Sequence, residues 1–358
     1  MPKAELHLHL EGTVSPETLW AMAERNHVAL PVGSLKELRA LYEFESFDKF
    51  IELWLAMCAC FRADADYERM VDAFAEDCAR HNTRYVEAHF TPFNHEKFAI
   101  GGERALDVVT RRIEAVAAAG GPVIRLITDI PSEAGDEAGE YTAGLLERTA
   151  NPFVVAVGLG GPEAGFPRRR FAPYFERARR AGYACVAHAG ETAGADHVRQ
   201  AVTELGARRI QHGVRAAEDD AVLSLLAERG ICCDAALTSN VCLKVAKDLS
   251  SHPLRRLTKA GVPVTLSTDD PPFFNTDLTR EYVRAHDEMG FTRDELWQFN
   301  LNGLRHGLAE AGLRRKLMLE FEAFYAASRD ASPAPGSGDK TSSTSSASDA
   351  RRDGSIAP

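Results

Sequence analysis

The feature that most limits what this chain can become is an alternation. Short apolar runs ending in polar or small residues recur as RYVEAHFTP (84–92), VIRLITDI (123–130), VVAVGLGG (154–161), ACVAHAGE (184–191), RIQHG (209–213), ICCDAAL (231–237) and PVTLSTDD (263–270). Helical stretches such as 102–118, 171–181 and 218–229 separate them, and an eighth run, Glu5 to Leu10, opens the chain. Strands that alternate with helices form parallel sheets through right-handed crossovers, and eight such units close into a (β/α)8 TIM barrel. Between the first and second runs, residues 35–80 place apolar side chains three and four apart (Phe44, Phe47, Phe50, Leu53, Trp54, Met57), which predicts a helical insertion able to cover the barrel mouth. A similar pattern over 292–327 predicts closing helices. The expected organisation is one barrel domain over 1–328. A tail over 329–358, rich in Ser, Ala, Gly and Asp, has too little apolar surface to order.

In a barrel of this kind the residues with chemical duties sit at the C-terminal ends of the strands. Here those ends carry His7 and His9, His188, His212, Asp269 and Asp270. Strict alternation over Glu5 to Leu10 predicts that both imidazoles share one face opposite Leu6, Leu8 and Leu10, with Glu11 continuing the histidine face. His188 and Glu191, three residues apart, supply a neutral nitrogen ligand and a carboxylate outside the ligand set. Three imidazoles from two strands and one carboxylate from a third make an N3O set suited to Zn²⁺ with a position left open for water. The run Val154 to Gly161 has no lysine to bridge a metal pair, so one Zn²⁺ per chain is expected. A bound water whose pKa falls near neutrality makes hydrolysis the expected reaction class.

The motifs HLHLEG, HAGE, the strand-end histidine of QHG, LTSN (237–240) and STDDP together resemble the adenosine deaminase family of zinc-dependent barrel hydrolases, over about residues 3–327. The resemblance implies that His7, His9, His188 and Asp269 are zinc ligands, and that Glu191 is the acid that protonates purine N1. It further implies that His212 stands beside the attacking water and that Asp270 meets N7. The backbone N–H of Gly161 would meet N3, although Gly161-Pro162-Glu163 replaces the family's common Gly-Asp-Glu. By this resemblance His9 also lines the substrate site. Glu11 would grip the sugar, where adenosine-specific members more often carry the shorter Asp.

The expected substrate is a 6-aminopurine nucleoside, adenosine or 2′-deoxyadenosine, converted to the inosine form with release of ammonia. Alternatives are an adenine deaminase acting on the free base, an aminodeoxyfutalosine deaminase, and a catalytically silent binding barrel. The net charge of −10 argues against a nucleic-acid or anionic-membrane partner. An odd count of seven cysteines without metal-finger spacing, and a start without a secretory pattern, lead to the expectation of a cytoplasmic protein. Oligomeric state stays open.

Overall fold

A computed structural model describes residues 1–42, 47–96 and 100–330, so Phe44 and the tail beyond residue 330 lie outside the described residues. Eight parallel strands follow one another around the sheet in sequence order: β1 (Lys3–His9), β2 (Thr83–Phe90), β3 (Val123–Pro131), β4 (Val154–Gly160), β5 (Ala184–Ala189), β6 (Arg209–His212), β7 (Cys232–Ala235) and β8 (Val264–Leu266). All eight expected strands form. The ring closes where His9 N donates to the Asp269 carbonyl at 2.9 Å and Asp269 N donates to the His7 carbonyl at 3.2 Å. The seam between the first and last strands is therefore zipped at the residues expected to hold metal.

Strand β1 departs from strict alternation. Glu5 pairs with Val86 and Leu8 with Ala88, so β1 carries one residue more than β2 across that interval. This is a bulge, and a bulge re-aims the side chains beyond it. Ala4 and Leu6 pack with Tyr85, Trp297 and Leu301 beneath the barrel, whereas Leu8 and Leu10 join the main core. His7 and His9 keep the shared face expected of them, both bringing Nε2 to 3.1 Å from His188 Nε2.

The floor of the barrel is polar yet internally matched. Arg209, fully buried on β6, donates from Nη1 to Glu87 Oε2 at 2.6 Å, from Nε to Asp234 Oδ2 at 2.8 Å and from Nη2 to the Leu6 carbonyl at 3.2 Å. Tyr85 donates to Glu87 at 2.5 Å, and Thr265 to Asp234 at 2.7 Å. A buried cation survives only with its hydrogen bonds filled, and losing one partner of such a set costs roughly 3–5 kcal/mol. The helices Arg293–Arg305 and Ala311–Asp330 seal this end through Trp297, Leu304 and Phe321.

Among the described residues, four α-helices lie between β1 and β2: α1 (Pro16–Arg25), α2 (Leu35–Leu41), α3 (Phe47–Cys58) and α4 (Asp64–Arg80). Ser15 caps α1 by accepting from Thr18 N at 3.2 Å, with proline at the first helical turn, the arrangement that leaves fewest backbone N–H groups unpaired. Helix α3 buries Phe50, Leu53, Trp54 and Met57 in the core, and Phe50, Ile51 and Trp54 also roof the cavity at the barrel mouth. The insertion thus covers the site.

All seven cysteines are free thiols, six of them buried, and among the described residues no helix is long and apolar enough to cross a membrane.

Candidate active site

The strand ends converge on a cavity of about 600 Å³, counted with its open mouth. Within it, His188 Nε2 lies 3.1 Å from His7 Nε2 and 3.1 Å from His9 Nε2. Asp269 Oδ1 lies 3.4 Å from each of the same two nitrogens of β1. Four donors set tetrahedrally at 2.0–2.1 Å around one zinc ion stand about 3.3–3.4 Å apart. The measured edges match that figure.

Proton positions favour a cation here. His188 Nδ1 is 3.0 Å from the Leu159 carbonyl and His7 Nδ1 is 3.2 Å from the Asp234 carbonyl. Each contact takes the proton on Nδ1, so in the neutral rings the Nε2 lone pairs face one another. Burial lowers the pKa of His7, but Asp269 and Asp234 outweigh it and raise it. His9 Nδ1 faces Asp129 Oδ2 at 3.7 Å, beyond hydrogen-bond reach. Mutually facing lone pairs in a buried site repel unless a positive charge lies between them. Burial first, then neighbouring His7, pushes the pKa of His188 well down, keeping it neutral. Burial opposes ionisation of Asp269, but His7, His212 and His9 outweigh it and hold its carboxyl below the usual range. Ser239 donates to Asp269 Oδ2 at 2.7 Å, fixing the carboxylate's second oxygen.

His212 stands beside this set, its Nε2 3.7 Å from Glu191 Oε1 and 3.8 Å from Asp269 Oδ2; with His7, His188 and Asp269 it forms a group able to hold a metal ion, while His9 groups with His89 and Asp129. Both His212 (φ 61°) and Asp269 (φ 66°) adopt the left-handed region, in which side chains with a Cβ are strained by about 1–3 kcal/mol. Strain of that kind persists only where the surroundings enforce it, and here it turns both strand ends toward the axis.

Glu191 is 5% exposed, and burial, with Asp269 and Glu163 adding to it, pushes its pKa well up. The shift favours the protonated carboxylic acid. The loop that presents it is pinned by buried Glu163, which accepts from the backbone N–H groups of Glu191 at 2.8 Å, Gly190 at 3.1 Å and Ala193 at 3.2 Å. Buried Glu281 does the same for LTSN, accepting from Leu237 N at 2.9 Å and Thr238 N at 3.2 Å.

Asp270 lines the cavity with Oδ1 lacking any hydrogen-bond partner, and burial, then Asp269, raises its pKa. A Cβ on Gly12 would stand 1.8 Å from that oxygen, so glycine is required there. Gly161 also lines the cavity, at φ +78°, a conformation natural to glycine. The Gly-Pro-Glu sequence thus still delivers Gly161 to the site.

Glu11 behaves differently from expectation. The chain turns into a short 3-10 helix at Glu11–Thr13, so the strand's side-chain alternation stops before it. Its carboxylate is fully buried, accepts from Thr91 N at 2.8 Å, lies 3.4 Å from His95 Nε2, and does not line the cavity. Two other residues join the site without a spacing signal to announce them. His89 on β2 and Asp129 on β3 are buried together with Nδ1 and Oδ1 2.8 Å apart, and Asp129 is the residue facing His9.

The sequence model of the adenosine deaminase family matches residues 2–323. The chain belongs to that family. It is similar to the aminodeoxyfutalosine deaminase of Streptomyces coelicolor, with 36% identity over 91% of this chain and 85% of the relative. It is likewise similar to the adenine deaminase of Bordetella parapertussis, with 34% identity over 86% of this chain and 97% of the relative. Among solved structures, the adenine deaminase of Arthrobacter aurescens superposes with a TM-score of 0.87 at 29% identity, covering 91% of this chain and 99% of the other. The chain is thus a hydrolytic deaminase of the adenosine deaminase family.

Proposed function

We propose that this family member removes the 6-amino group of a purine by hydrolysis, with free adenine the first substrate, using one Zn²⁺ held by His7, His9, His188 and Asp269. The observation that carries the reaction is the convergence of the His7, His9 and His188 Nε2 atoms beside a buried Glu191 whose pKa burial pushes up. When bound, the ion supplies a Lewis acid that brings the pKa of water into the neutral range.

The chain's own groups define how the ring is held. N1 and N7 are both lone-pair acceptors, so each needs a donor. Glu191, protonated, gives its proton to N1, which makes C6 electrophilic. Asp270, whose pKa burial raises, donates to N7 as the carboxylic acid, and the Gly161 backbone N–H donates to N3. His212 stands over C6, where the incoming oxygen adds before ammonia leaves. Phe50 and Trp54 shield the ring from bulk water.

Free adenine is favoured over a nucleoside because Glu11, the residue expected to hold the sugar, does not line the cavity and accepts from Thr91 N through Oε1. The Bordetella relative is named for that substrate. The lining of the cavity, among the described residues, includes no lysine or arginine, which disfavours phosphorylated substrates. A second reading, aminodeoxyfutalosine, is favoured by the Streptomyces relative. One panel decides: adenine, adenosine, 2′-deoxyadenosine and aminodeoxyfutalosine, followed by loss of adenine absorbance or by ammonia release. The expected result is the highest kcat/KM on adenine. A higher value on any nucleoside reassigns the substrate.

A further inference from the structure

The proton on His212 can be traced to a backbone group that leaves no choice. Leu254 opens the helix Leu254–Lys259, and a first-turn N–H has no partner within its own helix. It sits 3.1 Å from His252 Nδ1. An amide N–H can only donate, so Nδ1 of His252 accepts and carries no proton. The neutral ring then bears its proton on Nε2. His252 is 4% exposed, and burial lowers its pKa to about 4, so the ring is neutral at physiological pH.

His252 Nε2 lies 3.0 Å from Asn240 Oδ1. That contact fixes which way the amide points, because an N–H facing the Asn240 NH₂ group would place two donors together. Asn240 Nδ2 is thereby turned to His212 Nδ1, 3.1 Å away. The amide nitrogen also only donates, so His212 Nδ1 accepts. Neutral His212 must then carry its proton on Nε2, the atom that faces Glu191 and Asp269 in the cavity.

We propose that His252 is a positioning residue which, through Asn240, holds His212 in the Nε2–H form, so that His212 donates a hydrogen bond into the cavity and does not act as a base. As a donor it orients the oxygen that adds to C6 and steadies the charge that develops there. With Nδ1 filled by Asn240 and Nε2 protonated, it has no lone pair with which to take a proton. This assignment rests on the deaminase reading only for its consequence, since the chain of donors and acceptors is independent of the substrate.

The test uses ¹⁵N-histidine-labelled full-length protein as purified, with one- and two-bond proton–nitrogen correlations assigned through His212→Asn and His252→Gln. Wild type should show His212 protonated on Nε2 and bare at Nδ1. Asn240→Asp supplies acceptors to both neighbours, so His212 should switch to the Nδ1–H form with metal content unchanged. An enforced wrong tautomer at a catalytic histidine costs on the order of 10²- to 10⁴-fold in rate, so kcat should fall within that span with KM within about threefold of wild type. His252→Leu should lower kcat by a smaller factor, and His252→Gln, which keeps a donor for Asn240, should recover most of it. Wild-type His212 protonated on Nδ1 overturns the proposal. So does an Asn240→Asp protein with the switched tautomer and wild-type kcat. If no 6-aminopurine is turned over but the Nε2–H signature is present, the reaction assignment falls while the relay stands.

Discussion

A Cβ on Gly158 would lie 1.8 Å from Asp129 Oδ1, so a glycine on β4 is what allows an aspartate on β3 to reach the histidine cluster. Asp129 hydrogen-bonds His89 Nδ1 at 2.8 Å through Oδ1, and its Oδ2, without a hydrogen-bond partner, faces His9 Nδ1 at 3.7 Å. A carboxylate behind a ligand histidine fixes the ring's tautomer and raises its basicity.

Gly158→Ala should therefore push the Asp129 carboxylate off His9 while leaving every proposed ligand in place. The expected loss in zinc affinity is about 10- to 100-fold, the usual effect of removing a partner behind a ligand. Competition with a chromophoric chelator measures it, starting from wild-type protein loaded with one equivalent of zinc. An alanine variant with unaltered affinity would show that Asp129 does not support His9.

Glu191→Gln should preserve fold and zinc content but abolish turnover. The amide keeps the side chain's shape and cannot release a proton to N1. Loss of kcat should reach or exceed the 10²- to 10⁴-fold or so contributed by general acids, because C6 stays a poor electrophile without N1 protonation. Near-normal kcat in this variant would assign the acid elsewhere.

The sequence made the fold and the core of the site readable for a physical reason: each strand had to be apolar to be buried on both faces, and each polar residue at a strand's end interrupted that pattern visibly. His7, His9, His188, His212 and Asp269 all stood out in this way, and the structure brings them together. His89 and Asp129 lie in equally apolar strands, but one histidine and one aspartate on separate strands carry no spacing to link them. Their pairing depends on Gly158, whose significance is the volume it leaves empty. The bulge in β1 was hidden as well, because Glu5 to Leu10 alternates perfectly in sequence and only pairing against β2 reveals the extra residue. Glu11 was misplaced for a related cause. A pattern of period two says nothing about where the strand stops, and here it stops two residues before Glu11.

That burial changes what Glu11→Ala should do. Removing the carboxylate leaves the buried Thr91 N–H without its acceptor, which costs about 1–3 kcal/mol of stability. The midpoint of urea unfolding should fall accordingly, while KM for adenine and adenosine alike moves by less than about threefold. A selective rise in KM for adenosine with unchanged stability would return Glu11 to the sugar.

His252 gives the protein a specific sensitivity to acid. Burial takes its pKa from the ordinary 6.5 down to about 4. Between those values the unfolded chain binds a proton at this ring and the folded chain does not, so falling pH favours unfolding. The contribution is whole above pH 6.5, declines as pH falls toward 4, and amounts in total to about 3 kcal/mol for a shift of this size. His252→Gln removes the titrating group while keeping a donor for Asn240. Other buried histidines add their own slopes, but they are common to both proteins, so the difference between the two unfolding free energies isolates this ring. Urea midpoints taken at intervals from pH 7 to pH 4 should show the variant losing less stability than wild type, with the gap opening below pH 6.5 and levelling near 4. Parallel curves across that range would mean that His252 titrates in the folded protein as it does in the unfolded chain. Its Nδ1 would then become a donor below about pH 6.5, and the chain of hydrogen bonds from Leu254 to His212 would break at its first link in acid.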